Sequence, residues 1–202
     1  MNDELFTIGH STHPIGHFVE LLKQHGVDAV CDVRSHPHSA YNPQFNRDAL
    51  QKSLREHAIH YVFLGKELGA RSENPDCYVD GKVEYQLLAG APLFARGMER
   101  LRRGMEKYAV ALMCAEKDPV TCHRMILVCR NMRPFTARIK HILADGALET
   151  NAQAERRLQH KLGIYSDLLR NEQQSIEDAY DAQGRAMAYA PKAPADAGGK
   201  GR

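Results

Sequence analysis

The stretch Tyr108-Ala-Val-Ala-Leu-Met113 is the most apolar of the strand-like runs in the chain, and Cys114 follows it at once. An apolar residue at every position, rather than at alternate positions, is typical of a strand whose two faces are both covered. Strands of this kind belong to parallel sheets, in which helices connect one strand to the next. The stretch therefore predicts a buried strand of an α/β protein.

Strand-like runs and helical patterns alternate on both sides of this stretch. The first helical pattern is an apolar stripe, in which residues 15, 18, 19 and 22 recur at the spacing of one helix face. We predict strands at residues 5–8, 27–33, 59–64, 108–113 and 139–143. We predict helices at residues 14–25, 47–58, 93–107, 119–131, 152–162 and 166–179.

The predicted fold is a three-layer α/β fold with about five mainly parallel strands and helices on both faces. Numbered along the chain, the strands are predicted in the order 3-2-1-4-5. Residues 65–92 carry little regular pattern, so they are predicted to form a lid or an irregular insertion. Residues 1–180 are predicted to form a single α/β domain. Residues 181–202, rich in Ala, Gly, Pro and Lys, are predicted to form a disordered tail.

Composition and charge exclude several classes of protein. No run approaches the roughly 20 apolar residues that cross a bilayer, and no secretion signal is recognisable, so no membrane partner is predicted. Five cysteines, an odd number, predict free thiols in a reducing cytoplasm. The formal net charge of +2 neither requires nor excludes a nucleic-acid partner. The oligomeric state is left open.

Polar side chains follow each of the first four predicted strands, where the chain leaves the sheet. These segments are residues 9–14, 32–39, 65–71 and 114–124, and they supply His, Arg, Ser, Cys and carboxylate groups. In open α/β sheets ligands bind at the carboxyl ends of the strands, so we expect the four segments to share one site. None of them contains a dinucleotide fingerprint or a P-loop, and no cofactor is predicted.

Four motifs in these segments resemble one family. They are Ile8-Gly9-His10-Ser11, Asp32-Val33-Arg34-Ser35, Leu64-Gly65 followed by Glu67-Leu68-Gly69, and Cys114-Ala115-Glu116 followed by Cys122-His123-Arg124. In this order, over about residues 5–147, the chain resembles the family called domain of unknown function 488. The resemblance implies a small cytoplasmic α/β domain, and it implies no established reaction.

The leading hypothesis is an enzyme that acts on a small anionic substrate, which bears phosphate or carboxylate. Arg34 leaves a buried strand at the predicted crevice, and Arg124 lies at a helix N-terminus beside free N–H groups. Both are therefore predicted to bind the anion. Cys114 is the candidate nucleophile, and His10 or Glu116 is the candidate that moves a proton.

Three further residues are assigned to substrate binding. Ser11 and Ser39 follow the first and second strands. His123 is predicted to point away from the buried face of its helix, as is Arg124. The structural alternative for Arg124 is an ion pair with Glu116 or Asp118. The corresponding alternative for Arg34 is an ion pair with Asp32.

A second hypothesis is a protein that binds or processes nucleic acid. The predicted helix at residues 93–107 carries a basic ridge on its outer face, formed by Arg96, Arg100, Arg103 and Lys107. Such a ridge is typical of a solvated helix face, and it also suits a phosphate backbone.

A third hypothesis is a thiol redox or metal sensor that uses Cys114 and Cys122. If both cysteines face the sheet, their thiols come close together and can form a reversible dithiol. Their spacing is not a recognised zinc pattern, because structural zinc sites usually contain closely spaced cysteine pairs. His10 or His36 would have to complete such a site, and no metal is assigned to it.

Overall fold

A sheet of six strands runs through the structure, a computed structural model that describes residues 3–191 of the chain. The strands are β1 (Glu4–Gly9), β2 (Ala29–Asp32), β3 (His60–Phe63), β4 (Tyr78–Val79), β5 (Lys82–Val83), β6 (Val110–Cys114), β7 (Arg138–Ile142) and β8 (Leu148–Thr150). Strands β4 and β5 form a separate hairpin, and the other six strands form the sheet.

Helices surround the sheet in the part of the chain that the structure describes. They are α1 (Ile15–Gln24), α2 (Arg47–Glu56), α3 (Gly65–Leu68), α4 (Tyr85–Gly90), α5 (Pro92–Met105), α6 (Arg130–Met132), α7 (Asn151–Leu162) and α8 (Glu172–Met187). A π-helical segment, Arg124–Cys129, leads directly into α6. None of the helices described is both long and apolar enough to cross a bilayer.

The most apolar strand, β6, lies inside the sheet between β2 and β1. The order is β3-β2-β6-β1-β7-β8, and all neighbouring strands are parallel except β7 and β8. The predicted order 3-2-1-4-5 is wrong, because it placed β1 next to β2. Every residue of β6 is buried, because β2 and β1 cover its two edges and helices cover its two faces.

Helices cover both faces of the sheet, which confirms the predicted α/β class. On one face, α1 and α2 pack residues such as Phe18 and Leu50 against the sheet. On the other face, α5, the π-helical segment, α7 and α8 form a larger core cluster. Side chains alternate along β6, so that Met113 joins the first face and Cys114 the second. Each fully buried Leu or Phe contributes about 1.5–3 kcal/mol to this packing.

The connections after β6 and its two neighbours diverge at the carboxyl edge of the sheet. Strands β1 and β2 continue toward α1 and α2 on one face, whereas β6 continues into the π-helical segment on the other. A crevice forms where neighbouring connections leave in opposite directions, and ligands of open α/β sheets bind in such crevices. The residues that follow β6 therefore lie at the crevice, where a ligand-binding site is most expected in this fold.

The predicted helix over residues 119–131 is divided in the structure. Asp118 caps the short 3-10 turn Pro119–Thr121, since its Oδ1 accepts a hydrogen bond from the Val120 N–H at 3.1 Å. Cys122 is then extended, with φ −132° and ψ 138°. The π-helical segment follows, and all of its residues are buried between β6 and α8. Single π-helical turns of this kind are frequent at functional sites.

Residues 65–92, predicted as a lid or an irregular insertion, form a packed part of the fold. Cys77, Val83 and Tyr85 belong to the larger core cluster. Helix α3 approaches the loop after β2 so closely that a Cβ atom on Gly65 would lie 2.0 Å from the Arg34 carbonyl oxygen. The segment therefore forms a wall beside the carboxyl end of β2.

Helix α8 extends past residue 180, where the domain was predicted to end, and continues to Met187. Gln183 and Gly184 are buried, because this part of the helix packs beside Tyr85. Beyond the helix, the Tyr189 carbonyl accepts a hydrogen bond from the Val83 N–H at 2.9 Å. The structure thus places residues 181–191 in the folded part of the chain, whereas they were predicted to belong to the disordered tail. Residues 192–202 of that tail lie outside the described residues.

Candidate functional site

Four side chains with reactive groups meet at the carboxyl end of β6, and we call them the thiol cluster: Cys114, Glu116, Cys122 and His123. Cys114 ends β6, and Cys122 and His123 immediately precede the π-helical segment. One nitrogen, oxygen or sulfur atom of each residue lies within 4.8 Å of those of the other three. The Glu116 Oε2 atom accepts hydrogen bonds from the Cys114 thiol at 2.9 Å and from the Cys122 thiol at 3.0 Å.

The imidazole of His123 is oriented by Val33, the residue that follows strand β2. Its Nε2 lies 2.9 Å from the Val33 carbonyl oxygen, and it must carry a proton because a carbonyl only accepts. Its Nδ1 therefore faces the thiol cluster, 3.6 Å from the Cys114 Sγ. The prediction that His123 points away from the buried face is wrong, because the residue is only 6% exposed.

The four groups shift one another's pKa values. Burial, with the hydrogen bond and charge of Cys122, raises the pKa of the Cys114 thiol. Burial acts in the same direction on Cys122, but the neighbouring Cys114 thiol and the charge of Arg124 outweigh it and lower its pKa. Partial burial and the charge of Cys122 raise the pKa of Glu116. Burial opposes the charged form of His123, but the hydrogen bond to Cys122 raises its pKa.

A cavity of about 260 Å³ opens above the thiol cluster. Cys114, Glu116 and His123 line it, whereas Cys122 is fully buried beneath. The walls come from the loop after β2, from the segment 65–92 and from the residues around the end of α8; they include His36, Arg71, Tyr85 and Tyr189. The structure therefore brings together chain segments that follow β2, β3 and β6.

Arg34 lines this cavity, but its guanidinium is already engaged. Its Nη2 donates to Asp32 Oδ2 at 2.6 Å and its Nε donates to Asp32 Oδ1 at 2.9 Å. Nη2 also donates to the Phe45 carbonyl at 2.8 Å, and Nη1 lies 3.1 Å from His10 Nε2. The structural alternative for Arg34, an ion pair with Asp32, is thus the contact that the structure contains.

His10 is buried beside this ion pair and has both ring nitrogens occupied. Its Nδ1 lies 2.9 Å from the Ser11 carbonyl oxygen and therefore carries the proton, so its Nε2 accepts the hydrogen bond from Arg34. Burial lowers the pKa of His10 to about 4. A neutral imidazole with no free nitrogen is poorly suited to transfer a proton near pH 7.

Arg124 is fully buried and stabilises the loop that carries Glu116. Its Nη1 donates to the Glu116 carbonyl at 2.6 Å and its Nη2 donates to the Lys117 carbonyl at 3.1 Å. Its Nε reaches Thr7 Oγ1 at 3.4 Å. Gly9 makes room for this loop, since a Cβ atom there would lie 2.0 Å from the Glu116 carbonyl oxygen. The prediction that Arg124 points away from the buried face is wrong, because its segment is covered on all sides.

Ser11 and Ser39 line a second cavity, of about 320 Å³, on the other side of Arg34. Ser11 has a positive φ of 46°, and its N–H donates to the Ala115 carbonyl at 2.9 Å. The Ser39 hydroxyl oxygen accepts hydrogen bonds from the two N–H groups of residues 41 and 42. The assignment of both serines to substrate binding stays a prediction, and they do not line the cavity above the thiol cluster.

A family model described as Domain of unknown function DUF488 matches residues 14–130, more than half of the chain. The chain belongs to this family. The resemblance predicted from the four motifs is thereby confirmed, and the matched region includes the whole thiol cluster. No protein with a curated description and no solved structure matches the chain.

Two residues of the cavity were not singled out from the sequence. Arg71 lies within a polar segment after the third predicted strand, so its position was a usable signal, although no role was assigned to it. Tyr189 lies in the part predicted as a tail, where composition gave no signal. The Arg71 guanidinium lies over the Tyr189 ring, 4.6 Å from its centre. Arg71 lies within the family match, which covers residues 14–130, and Tyr189 lies beyond its end.

Ion pairs partly neutralise the basic ridge, which lies on α5 except for Lys107 just beyond its end. Arg100 forms an ion pair with Glu67. Arg103 pairs with Glu99, one turn earlier on the same helix, at 2.8 Å. Paired charges attract a phosphate backbone less strongly than free ones, so the ridge gives the nucleic-acid hypothesis little support.

A buried histidine next to the Arg124 contacts makes stability sensitive to acid. His141 accepts a hydrogen bond from the Thr7 hydroxyl at 2.8 Å, and its Nε2 lies 3.2 Å from Asn151 Oδ1. Burial, followed by the charge of Arg124, lowers its pKa to about 3. Unfolding returns the pKa to about 6.5, so the unfolded chain binds more protons between these values and stability falls as pH falls. We expect protonation of His141 in the unfolded chain to lower the free energy of unfolding by about 2 kcal/mol from pH 7 to pH 5.

Urea denaturation at pH 7 and at pH 5 measures this effect. His141→Gln keeps an acceptor and a donor but cannot titrate, so its stability should fall by about 2 kcal/mol less than that of the wild type over this range. Buried His10 titrates in both proteins, and its contribution cancels in the comparison. An equal pH dependence of the two proteins would contradict the assigned role of His141.

Proposed function

We propose that this protein is an enzyme that acts on a small anionic substrate, bearing phosphate or carboxylate, in the cavity above the thiol cluster. The observation that carries the proposal is the convergence of Cys114, Glu116, Cys122 and His123 at the carboxyl end of an interior parallel strand. Reactive groups with shifted pKa values in a crevice are typical of active sites. The five free cysteines are consistent with work in a reducing compartment such as the cytoplasm.

Arg71 is the arginine best placed to attract the anion. Its side chain is exposed at the cavity wall and stacks on Tyr189. Within residues 3–191, no carboxylate lies within 4.0 Å of its guanidinium nitrogens. Arg34 and Arg124, the two arginines predicted for this role, have their guanidinium groups engaged by Asp32 and by backbone carbonyls.

Glu116 is the group best suited to exchange a proton with the substrate. Its carboxyl lines the cavity, and its raised pKa brings it closer to the pH at which general acid–base groups are most effective. The raised pKa of Cys114 disfavours its thiolate, which is the nucleophilic form. A covalent role of Cys114 therefore has less support than the proton-exchanging role of Glu116. The covalent role of Cys114 stays a prediction.

Binding of simple anions tests the assignment of Arg71. We expect titration calorimetry to detect saturable binding of inorganic phosphate or acetate, and Arg71→Met to weaken it about tenfold or more. Arg103→Met is the matched control, because that arginine is exposed and pairs with Glu99 at 2.8 Å. Equal affinities in the two variants, or no saturable binding by the wild type, would contradict the proposal.

Turnover in the same preparations tests the role of Glu116. Nitrophenyl esters of phosphoric and carboxylic acids serve as general reporters of hydrolysis. Glu116→Gln keeps the size of the side chain and removes the exchangeable proton, so we expect it to lower turnover about 10²–10⁴-fold. An equal rate in wild type and Glu116→Gln would exclude Glu116 as the proton-transferring group.

A further inference from the structure

We infer that the thiol cluster is a binding site for a zinc-type divalent metal ion, with one ligand atom each from Cys114, Glu116, Cys122 and His123. These atoms all lie within 4.8 Å of one another. Ligands arranged tetrahedrally at the about 2.0–2.3 Å typical of zinc lie roughly 3.3–3.8 Å apart. The separations of 2.9, 3.0 and 3.6 Å within the cluster are close to this range. Small side-chain movements would therefore suffice to enclose an ion.

The chemistry of the four donors selects the class of metal. Two sulfurs and an imidazole nitrogen are soft or borderline ligands, which favour zinc and related transition metals over magnesium or calcium. Four protein donors also match the coordination number that zinc usually adopts. The spacing of these four residues matches no recognised zinc pattern. The sequence analysis named His10 or His36 as the residues that complete the site, but in the structure Glu116 and His123 lie beside the two cysteines.

The surroundings of His123 support the same inference. A histidine that binds a metal through one ring nitrogen usually donates a hydrogen bond through the other to a carbonyl or carboxylate. The Nε2 of His123 does so to the Val33 carbonyl at 2.9 Å, and its Nδ1 lies 3.6 Å from the Cys114 sulfur. Val33, directly after β2, thus holds the ring in the orientation that a metal ligand requires.

The four ligands differ in accessibility, and this difference points to one exchangeable coordination position, the one that Glu116 occupies. Cys122 is fully buried, and Cys114 and His123 are nearly so. Glu116 is the exposed member of the cluster and lines the cavity. A carboxylate at the cavity side is the ligand most readily exchanged for water or for an anion, and its release would leave the three protein ligands that catalytic zinc sites have.

The inference concerns the site of the proposed function, in which Glu116 exchanges a proton while its carboxylate is released from the ion, but it does not require that function to be correct. A protein that binds zinc through these residues and catalyses no reaction would still fulfil it. The competing interpretation is a redox dithiol formed by Cys114 and Cys122, in which no ion is bound. Metal content and the spectrum of bound cobalt separate the two interpretations.

The test uses the full-length protein, purified without an affinity tag that binds metals. We expect about one zinc per chain after equilibration with zinc, and replacement by Co²⁺ should produce the intense thiolate-to-cobalt charge-transfer absorption. Mutation of a residue that only hydrogen-bonds to a metal ligand typically weakens metal binding about 10–100-fold. Cys122→Ser and His123→Gln remove a ligand itself, so we expect them to weaken zinc binding at least about 100-fold. Cys129→Ser is the matched control, because Cys129 is a buried thiol in the same π-helical segment and lies outside the cluster.

Two further measurements keep the outcome decisive if a buried variant fails to fold. Cys114→Ser changes the cysteine that lines the cavity, and it should lose the charge-transfer band in part or in full. Glu116→Gln should retain the band from both thiolates while binding zinc more weakly. A wild-type protein that takes up no zinc, or that binds Co²⁺ without a thiolate band, would overturn the inference, as would equal losses in Cys122→Ser and Cys129→Ser.

Failure of this inference is distinguishable from failure of the proposed function. Arg71→Met should bind phosphate weakly and yet retain one zinc per chain. Phosphate binding that depends on Arg71 in a protein without zinc would overturn the metal site alone. Zinc bound through both thiols in a protein that neither binds phosphate or acetate nor turns over an ester would overturn the proposed enzyme alone.

Discussion

Replacing Arg124 by methionine is expected to lower the free energy of unfolding by about 3–5 kcal/mol. The guanidinium is fully buried and donates to the carbonyl oxygens of Glu116 and Lys117 at 2.6 and 3.1 Å. Methionine fills much of the same volume but donates no hydrogen bond, so both carbonyls lose a donor in a place with little access to water. A buried acceptor without a partner costs about 1–3 kcal/mol.

Urea denaturation at pH 7 measures this loss. Arg138→Met is the control, because Arg138 is 58% exposed and the partner in its shorter ion pair, Asp3, is 59% exposed. Exposed pairs contribute about 0–1 kcal/mol, so the control should unfold almost like the wild type. A loss below 1 kcal/mol in Arg124→Met would show that the loop after β6 does not depend on this arginine.

The same arginine shows where sequence reasoning stops. Its place near the start of a helix correctly indicated a position at the sheet edge, and that placement suggested an anion site. The actual partners of Arg124 are backbone carbonyls, which every residue possesses and which no sequence pattern distinguishes. Their direction depends on the loop between Cys114 and Cys122, and the extended conformation of Cys122 was not visible in the helical spacing of residues 119–131.

The strands were predicted well because their signal is local. The structure has β6 at Val110–Cys114 and β7 at Arg138–Ile142, within two residues of the predicted bounds at either end. Strand order has no such local signal, because the apolar stripe of α1 is the same whichever strand the helix crosses. The edge strand β8 (Leu148–Thr150) was missed, since three residues with one apolar side chain carry no pattern.

The thiol cluster was predicted only in part, for a related reason. Cys114 and Glu116 follow the strongest strand, so both were expected at its carboxyl end. His123 was expected there too, but on the exposed side, because a regular helix was assumed. The π-helical segment and the hydrogen bond to Val33 turn His123 inward. The sequence thus indicated the neighbourhood of the site, while the contacts within it depend on the tertiary structure.

The buried ion pair between Asp32 and Arg34 is expected to give the second large effect. Asp32 is fully buried and accepts hydrogen bonds from Arg34 Nη2 at 2.6 Å, from Arg34 Nε at 2.9 Å and from the Tyr61 hydroxyl at 2.8 Å. Arg34→Met leaves a buried carboxylate without its counter-charge, and Asp32→Ala leaves a buried guanidinium. Removal of one partner of a buried pair costs about 3–5 kcal/mol, so we expect each single variant to lose about this much in urea denaturation.

The double variant distinguishes an ion pair from two independent side chains. Once both charges are gone, neither is left unpaired, so the double variant should lose at least about 2 kcal/mol less than the sum of the single losses. Additive losses would mean that Arg34 stabilises the fold through Phe45 and His10 instead. Phosphate titration of a folded Arg34→Met protein then addresses the predicted anion role. Because Asp32 already neutralises this guanidinium, its loss should weaken phosphate binding far less than the loss of Arg71, whose charge has no such partner among residues 3–191.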